Sequence, residues 1–262
     1  MLTFDPTLRF KNPSSQFPMV VAMYTADHLS YAERLAESLK RLRLSYSICE
    51  IDSIHSSTSL KGSEGSKNTK PTFIKDWLEK TKKPVLYVDA DTVFRSIPTK
   101  IFYGYKNGSH FAVFSWLSGE DNQTYFPSQS TSDGASQRTK GGYVEGFSIK
   151  QRSDDQIIVS GAVQFWGNSK YNFELLEIWH STILENPKSR DDHSLDYSFN
   201  NFIGRKNLNL FPLPRAYCRY AWWPWVEPVI DHPDFPAVNM PWEPLSEKYL
   251  PKRLDKTKIL SE

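Results

Sequence analysis

The sequence predicts an α/β protein in which a mixed, mostly parallel β-sheet is flanked by helices. At 262 residues, of which 39% are hydrophobic, the chain is long enough to bury a sizeable core. Apolar runs of strand length at residues 19–24, 84–88 and 157–166 alternate with segments whose apolar residues have helical spacing. This alternation favours parallel strands joined by helices.

The first such unit lies within residues 19–51. A strand over 19–24 is followed by Ser30 and Glu33, whose spacing is that of a capping box and predicts a helix from Tyr31 to about residue 43. The buried face of this helix carries leucines at helical spacing, namely Leu35, Leu39 and Leu42. A second strand over 45–51 completes a β–α–β unit, so the sheet begins with parallel strands.

Residues 53–69 are rich in Ser, Gly and Lys and predict a long loop that is either mobile or functional. Pro71 suits the first turn of a helix, which therefore begins close to this residue. The apolar stripe of the helix consists of Phe73, Ile74, Trp77 and Leu78. This helix leads into the strand at 84–88.

The second half of the chain contains a polar segment at 119–146, which we expect to act as a lid. The buried strand over 157–166 includes the small pair Ser160 and Gly161, where a ligand can approach the backbone closely. The remaining predicted elements are a helix over 173–184, a helix from the acids at 191 and 192 to about residue 202, and a short strand over 228–232.

Composition and charge limit the classes of function. Lys and Arg outnumber the acids by only two, so no overall field attracts nucleic acid or an anionic membrane. Cys49 and Cys218 lack metal-ligand spacing and are expected to be free thiols in a reducing compartment. Because no apolar stretch approaches transmembrane or signal-peptide length, we expect a cytoplasmic location without a transmembrane segment, with peripheral membrane contact left open.

The apolar strand at 84–88 ends abruptly in Asp89 and Asp91, two carboxylates one residue apart. Open α/β sheets bind ligands at the carboxyl ends of their strands. Two close ionised carboxylates repel each other unless a cation or a proton lies between them, and oxygen ligands suit Mg²⁺ or Mn²⁺. Two solvated acids in a turn are the alternative, which the long buried lead-in disfavours.

The acid pair allows three other interpretations. A calcium loop starting at Asp89 would need a glycine and an acid where the chain has Phe94 and Lys100, so calcium is excluded. The strand and acids also resemble the first motif of haloacid-dehalogenase-like phosphatases, with Asp89 as the nucleophile, although that family carries its nucleophile on the first strand of the domain. A non-catalytic nucleotide- or carbohydrate-binding module is the third alternative.

The chain resembles the GT-A-fold nucleotide-sugar glycosyltransferases, in which a Lys-Pro-x-Phe helix precedes a strand carrying a DxD motif. The resemblance lies in residues 70–74, the helix that follows them and the strand ending in Asp89-Ala90-Asp91. The resemblance runs loosely over 19–236 and includes Asp191 to Leu195, where family 8 has Asp-Gln-x-x-Leu. The closing His-x-x-Gly and Lys-Pro-Trp element of family 8 is missing, and His232 stands in that region. The chain is therefore loosely similar to family 8 without being assigned to it.

The resemblance implies a GT-A-like, Rossmann-type sheet in one catalytic domain over 1–262. Residues 19–115 would form the nucleotide-binding half, 116–240 the acceptor and donor-sugar half, and 241–262 a C-terminal tail. The implied activity is metal-dependent transfer of a hexose from a nucleotide diphosphate sugar, a UDP-sugar by preference, to a glycan, lipid-linked or protein acceptor. Mn²⁺ or Mg²⁺ is the implied cofactor.

The resemblance also implies roles for individual residues. Asp89, Asp91 and His232 would ligate the metal, with Asp89 alternatively accepting a ribose hydroxyl. Asp191 and Asp192 would bind the donor sugar or face the reacting carbon, although acids at a helix start also serve as caps. The remaining donor-binding positions would be Tyr24, Thr25, Asp27, Lys70, Ala90, Ser160 and Gly161, of which Asp27 could equally belong to a helix cap.

Two further expectations concern the acceptor side. An inverting reaction needs a carboxylate base, for which Glu145, Asp191 and Asp192 are candidates that spacing alone does not separate. The aromatic residues at 217–225 either stack on sugar rings or belong to the core.

Overall fold

The structure is a computed structural model that describes residues 10–12, 18–51, 63–106, 110–115, 159–186, 191–220 and 226–233. The strands in these residues are β1 (Phe10–Asn12), β2 (Met19–Tyr24), β3 (Tyr46–Glu50), β4 (Val85–Val88), β5 (Val93–Phe94), β6 (Phe111–Ser115), β7 (Val159–Trp166), β8 (Leu210–Pro212), β9 (Arg219–Tyr220) and β10 (Ile230–His232). The α-helices are α1 (Leu29–Arg41), α2 (Ser63–Thr81), α3 (Thr99–Lys106), α4 (Lys170–Glu185) and α5 (Asp191–Asn201), and 3₁₀ turns cover Ala26–His28, Ile203–Asn207 and Arg215–Cys218.

The main sheet has seven strands in the order β1-β3-β2-β4-β7-β6-β8. Strands β2, β3, β4, β6 and β8 run in one direction, and β1 and β7 run in the other. The predicted α/β class, with a mixed and mostly parallel sheet between helices, is confirmed.

Both faces of the sheet are covered, which explains why its strands are apolar without alternation. Successive residues of β4 enter opposite cores: Leu86 and Val88 pack on the side of α1, whereas Val85 and Tyr87 pack on the side of α2, α4 and α5. The helices on the second side contribute the predicted apolar stripe of α2 and the buried residues of α4. Helix α2 therefore lies directly against the strand that ends in the acid pair.

A second, three-stranded sheet has the order β5-β10-β9. Strand β5 begins two residues after Asp91 and pairs antiparallel with β10, which pairs parallel with β9. The prediction of a short strand ending at His232 is confirmed. This small sheet links the turn after β4 to a strand that comes about 140 residues later in the chain.

The carboxyl end of β4 meets the beginning of β7, because these two strands are antiparallel. The pairing continues past the last residue of β4, where the Asp89 amide donates to the Ala162 carbonyl at 2.9 Å. The small pair Ser160 and Gly161 therefore lies beside the acids at one edge of the sheet.

The start of α1 differs from the sequence prediction. Helix α1 begins at Leu29 with His28 as its N-cap, and no side-chain cap is formed, so the predicted capping box at Ser30 is wrong. The reason is that a 3₁₀ turn over Ala26–His28 precedes the helix and leads directly into it. In this turn the His28 amide donates to the Thr25 carbonyl at 2.8 Å.

Residues 63–69, predicted as part of a loop, form the first turns of α2, and Pro71 lies inside this helix. Tertiary contacts hold the turn before the proline: the Thr69 hydroxyl donates to Met23 Sδ at 3.5 Å, and Lys70 is bound by carboxylates. Such contacts offset the hydrogen bond that a proline removes from a helix.

Several sequence predictions lie outside the described residues. These are the lid at 119–146 with Glu145, the aromatic residues at 221–225, and the tail at 241–262. The division of the chain into halves stays a prediction. Among the helices that the structure describes, none has the length and apolar character needed to cross a membrane.

Candidate active site

Lys70 is the centre of the site. Its Nζ lies 2.8 Å from Asp89 Oδ1, 2.5 Å from Asp191 Oδ2 and 3.3 Å from the Gly161 carbonyl oxygen. These partners come from β4, from the start of α5 and from β7, while α2 carries the lysine. Since the lysine side chain is only 7% exposed, this ammonium group is a buried counterion that joins four elements at the sheet edge.

The pKa values follow from this arrangement. Burial by itself lowers the pKa of Lys70, but the carboxylates of Asp191 and Asp89 outweigh it and raise the pKa well above 10.5. Burial raises the pKa of Asp89, and Lys70 opposes this shift. Lys70 is therefore charged at neutral pH and holds the charge of two acids that would otherwise repel each other.

Tyr87 completes the surroundings of Asp89. Its hydroxyl donates to Asp89 Oδ1 at 3.0 Å, and Lys70 Nζ lies 5.3 Å from the centre of its ring. Sequence analysis missed this residue. The signal was present, because Tyr87 comes two positions before Asp89 and residues two apart on a strand share a face.

Asp191 and Asp192 lie against Gly161, and both are buried. A Cβ atom on Gly161 would stand 3.0 Å from Asp191 Oδ2 and 3.3 Å from Asp192 Cβ, so a side chain there would press on both acids. The main chain at Asp191 is held from the other side, where Trp179 Nε1 donates to its carbonyl at 3.1 Å. The predicted close approach to the backbone at Gly161 is thus made by the first turn of α5.

Asp91 has a different partner. Its Oδ1 lies 3.6 Å from His232 Nδ1, which is too long for a hydrogen bond. This oxygen and both ring nitrogens of His232 are buried and have no hydrogen-bond partner in the described part of the chain. The imidazole stacks on Tyr220 with ring centres 4.8 Å apart and planes at 21°.

The pair of Asp91 and His232 favours positive charge. Burial lowers the pKa of His232, but Asp91 and Cys218 outweigh it and raise the pKa to about 10. Burial raises the pKa of Asp91, and His232 brings it below its usual value. Where a buried carboxylate keeps a proton on a buried imidazole, a cation that binds both groups could take the place of that proton.

The donor atoms here fit a divalent cation in part. Asp91 and His232 offer an oxygen and a nitrogen without hydrogen-bond partners, and these atom types suit Mn²⁺. Asp89 Oδ1 is instead bound by Lys70 and Tyr87. No group of three or more His, Cys, Asp or Glu side chains with metal-binding geometry occurs among the described residues. Metal ligation by Asp89, Asp91 and His232 therefore stays a prediction.

The residues after β2 form a local network. The Thr25 hydroxyl donates to Asp27 Oδ1, and His28 Nδ1 lies 2.9 Å from the same oxygen. The contacts with Thr25 and His28 lower the pKa of Asp27. Tyr24 is buried, and its hydroxyl lies 3.3 Å from Glu50 Oε2. Asp27 lies in the 3₁₀ turn just before α1 and contacts His28, the N-cap of that helix, so it belongs to the capping region. Nucleotide binding by Tyr24, Thr25 and Asp27 stays a prediction.

Ser160 and Ala90 belong to the side of the small sheet. Ser160 Oγ lies 2.9 Å from the Tyr220 hydroxyl and 3.3 Å from Cys218 Sγ, and Ala90 is buried in the same core. Tyr217 and Tyr220 are buried as well, so the described part of the aromatic segment belongs to the core and does not form a sugar platform. Ser160 therefore contacts the tyrosine that stacks on His232, while Gly161 faces Asp191.

Comparisons with known proteins give structural matches only. No family model and no curated protein sequence matches the chain. Among solved structures, it is similar to a glycosyltransferase involved in the glycosylation of the major capsid of PBCV-1, with 12% identity, coverage of 82% of this chain and 94% of that one, and a TM-score of 0.49. It is also similar to mouse xyloside xylosyltransferase 1, with 10% identity, coverage of 83% and 98%, and a TM-score of 0.45.

A third similar structure is the glycosyltransferase GlyE of Streptococcus pneumoniae TIGR4, with 14% identity, coverage of 90% of this chain and 59% of that one, and a TM-score of 0.48. Similarity at this level of identity and TM-score carries no argument about function.

Proposed function

We propose that the chain is a metal-dependent glycosyltransferase that moves a hexose from a nucleotide diphosphate sugar to a glycan, lipid-linked or protein acceptor. One observation carries the proposal: Lys70, Asp89, Asp91, Asp191 and His232, which come from four separate segments, converge at the carboxyl end of β4. Ligands bind at this edge in open α/β sheets. The assignment of the donor as a UDP-sugar rests on the resemblance of residues 70–91 alone.

In this proposal Asp91 and His232 hold Mn²⁺ or Mg²⁺, and Asp89 adds a ligand or accepts a ribose hydroxyl. When bound, the cation stabilises the negative charge that grows on the departing diphosphate. The charges of the site support this assignment, because Asp89, Asp91 and Asp191 bring three carboxylates to the edge and Lys70 neutralises only part of their charge.

The other residues position the donor. Lys70 holds the Asp191 side chain against Gly161, which favours hydrogen bonds from sugar hydroxyls to this carboxylate. Asp191 and Asp192 are the proposed catalytic acids because they stand together in the first turn of α5, beside the edge where the donor would lie. Thr25 and Asp27, at the end of β2, are proposed to meet the base or the ribose.

The test is a thermal-unfolding panel of UDP, GDP and CMP and their sugars, each with and without Mn²⁺. A nucleotide present at about 100 times its Kd should add about 2.7 kcal/mol of stability, which corresponds to a rise in Tm of roughly 5–10 °C. We expect this rise with one nucleotide class and only when Mn²⁺ is present. Asp91→Ala should abolish the Mn²⁺-dependent part of this rise while the protein remains folded.

Other outcomes would contradict the proposal. If no nucleotide raises the Tm, or if Asp91→Ala behaves like the parent protein, the transferase assignment fails. Hydrolysis of an aryl phosphate that Asp89→Asn abolishes would instead favour the phosphatase. Tight UDP binding that needs no Mn²⁺, with no slow hydrolysis of any UDP-sugar, would favour a binding module.

A further inference from the structure

Next to His232 lies a charge cluster around a buried carboxylate that the proposed chemistry does not use. The carboxylate of Asp231 is fully buried and is bound by two arginines. Arg95 donates to Asp231 Oδ2 from Nε at 3.1 Å and from Nη2 at 2.9 Å. Arg219 donates from Nη2 to the same oxygen at 3.0 Å, and its Nε lies 2.9 Å from Asp231 Oδ1.

This cluster fixes the strand that carries His232. In β10, Asp231 stands opposite Val93 of β5 and Arg219 of β9, and His232 stands opposite Tyr220. Adjacent residues on a strand direct their side chains to opposite faces, so Asp231 is held on one face while His232 meets Asp91 from the other. The backbone is tied at the same place, because the Arg95 amide donates to the Val229 carbonyl at 2.9 Å.

The two arginines come from the strands on either side of β10. Arg95 directly follows β5, which comes after the turn that carries Asp91. Arg219 is the first residue of β9, whose second residue, Tyr220, stacks on His232. A single carboxylate thus links β10, which carries His232, to the segment that follows Asp91 and to the strand whose ring stacks on His232. Replacement of a buried ion pair by apolar residues is often neutral for stability, so stability alone does not require such a cluster.

We infer that Asp231, clamped by Arg95 and Arg219, is a positioning residue that holds His232 in the orientation needed for cation binding. This inference rests on the proposed function, in which His232 is a metal ligand. The groups that orient a metal ligand from outside the coordination sphere typically change metal affinity by about 10- to 100-fold when they are replaced. Asp231 acts on the backbone and the strand pairing of its neighbour and does not itself touch the cation.

The test measures Mn²⁺ binding without any turnover, by the electron paramagnetic resonance signal of free Mn²⁺ during titration of the full chain. Asp231→Asn keeps the size of the side chain and removes its charge, and it should raise the Kd for Mn²⁺ by about 10-fold or more. Glu177→Gln is the matched control, because it removes one carboxylate from the ion pair with Lys75 on the far side of α2. The control should leave the Kd unchanged.

A double-mutant cycle separates positioning from a general loss of structure. In a His232→Ala background, Asp231→Asn should change the Kd by less than about twofold, because the side chain that it orients is already absent. An equal loss of affinity in both backgrounds would overturn the inference. If Asp231→Asn does not fold, Arg95→Gln is the second variant, because it leaves both Arg219 contacts in place. We expect it to weaken Mn²⁺ binding as well.

The two proposals fail in different ways. If His232→Ala leaves Mn²⁺ affinity unchanged, the metal assignment in the proposed function is wrong. If His232→Ala weakens binding while Asp231→Asn and Arg95→Gln both bind Mn²⁺ like the parent protein, only the positioning role is wrong.

Discussion

Replacement of Lys70 by methionine tests the central contact of the site. Methionine keeps the length and apolar stem of the side chain and removes the ammonium group that lies 2.8 Å from Asp89 and 2.5 Å from Asp191. Two carboxylates at the sheet edge would then lack their shared counterion. Loss of one partner from a buried ion pair costs about 3–5 kcal/mol of unfolding free energy.

Lys75 provides the matched control on the same helix. It also pairs with two carboxylates, Glu177 at 2.7 Å and Glu79 at 3.9 Å, but its side chain is 31% exposed and that of Glu177 is 64% exposed. Exposed pairs contribute about 0.2–1 kcal/mol, so Lys75→Met should have a much smaller effect. Urea unfolding followed by tryptophan fluorescence measures both variants, and the difference between them is the quantity of interest.

The reasoning would be refuted if Lys70→Met cost no more unfolding free energy than Lys75→Met. A second check uses Asp191→Asn in the Lys70→Met background. Removing one of the two carboxylates relieves their repulsion, so the double variant should recover about 0.5–3 kcal/mol relative to Lys70→Met. Absence of any recovery would mean that Asp191 and Lys70 are not coupled in solution.

Two smaller changes test the neighbours of this contact. Gly161→Ala should lower the unfolding free energy by about 1–3 kcal/mol, because the added Cβ presses on Asp191, and it should weaken nucleotide-sugar binding measured by calorimetry. Gly204→Ala is the control: its Cβ meets the Phe202 ring, so it should lower stability without changing that affinity. Tyr87→Phe should lower the urea-unfolding free energy by about 1.5–3 kcal/mol, because Asp89 loses a hydrogen bond; an unchanged value would show that this bond is not formed.

The sequence predicts the fold where a strand is buried on both faces. The apolar run before Asp89 and the one ending at Trp166 are visible as uninterrupted hydrophobic stretches, and both are central strands. Short strands such as β5, β8 and β9 have two or three residues and no period to detect, so only tertiary pairing defines them. The same holds for the start of α2, where contacts of Thr69 and Lys70 override the local preference for a loop.

The candidate site divides in a similar way. Residues at strand and helix ends, such as Asp89 and Asp191, are found from local patterns because a buried element that ends in acids is visible in the sequence. Asp231 could not be identified from a local sequence pattern, because its partner Arg95 lies 136 positions away. Long-range ion pairs of this kind are known only once the order of the strands is known.

The two acids of the Asp-x-Asp motif have different electrostatic partners, which the spacing alone does not reveal. Asp89 is neutralised within the chain by Lys70, whereas Asp91 faces the imidazole of His232 and raises its pKa. A permanent counterion at Asp89 keeps part of the edge charge constant when ligands come and go. In the proposed function the exchangeable positive charge lies beside Asp91, where the cation and the diphosphate would be bound.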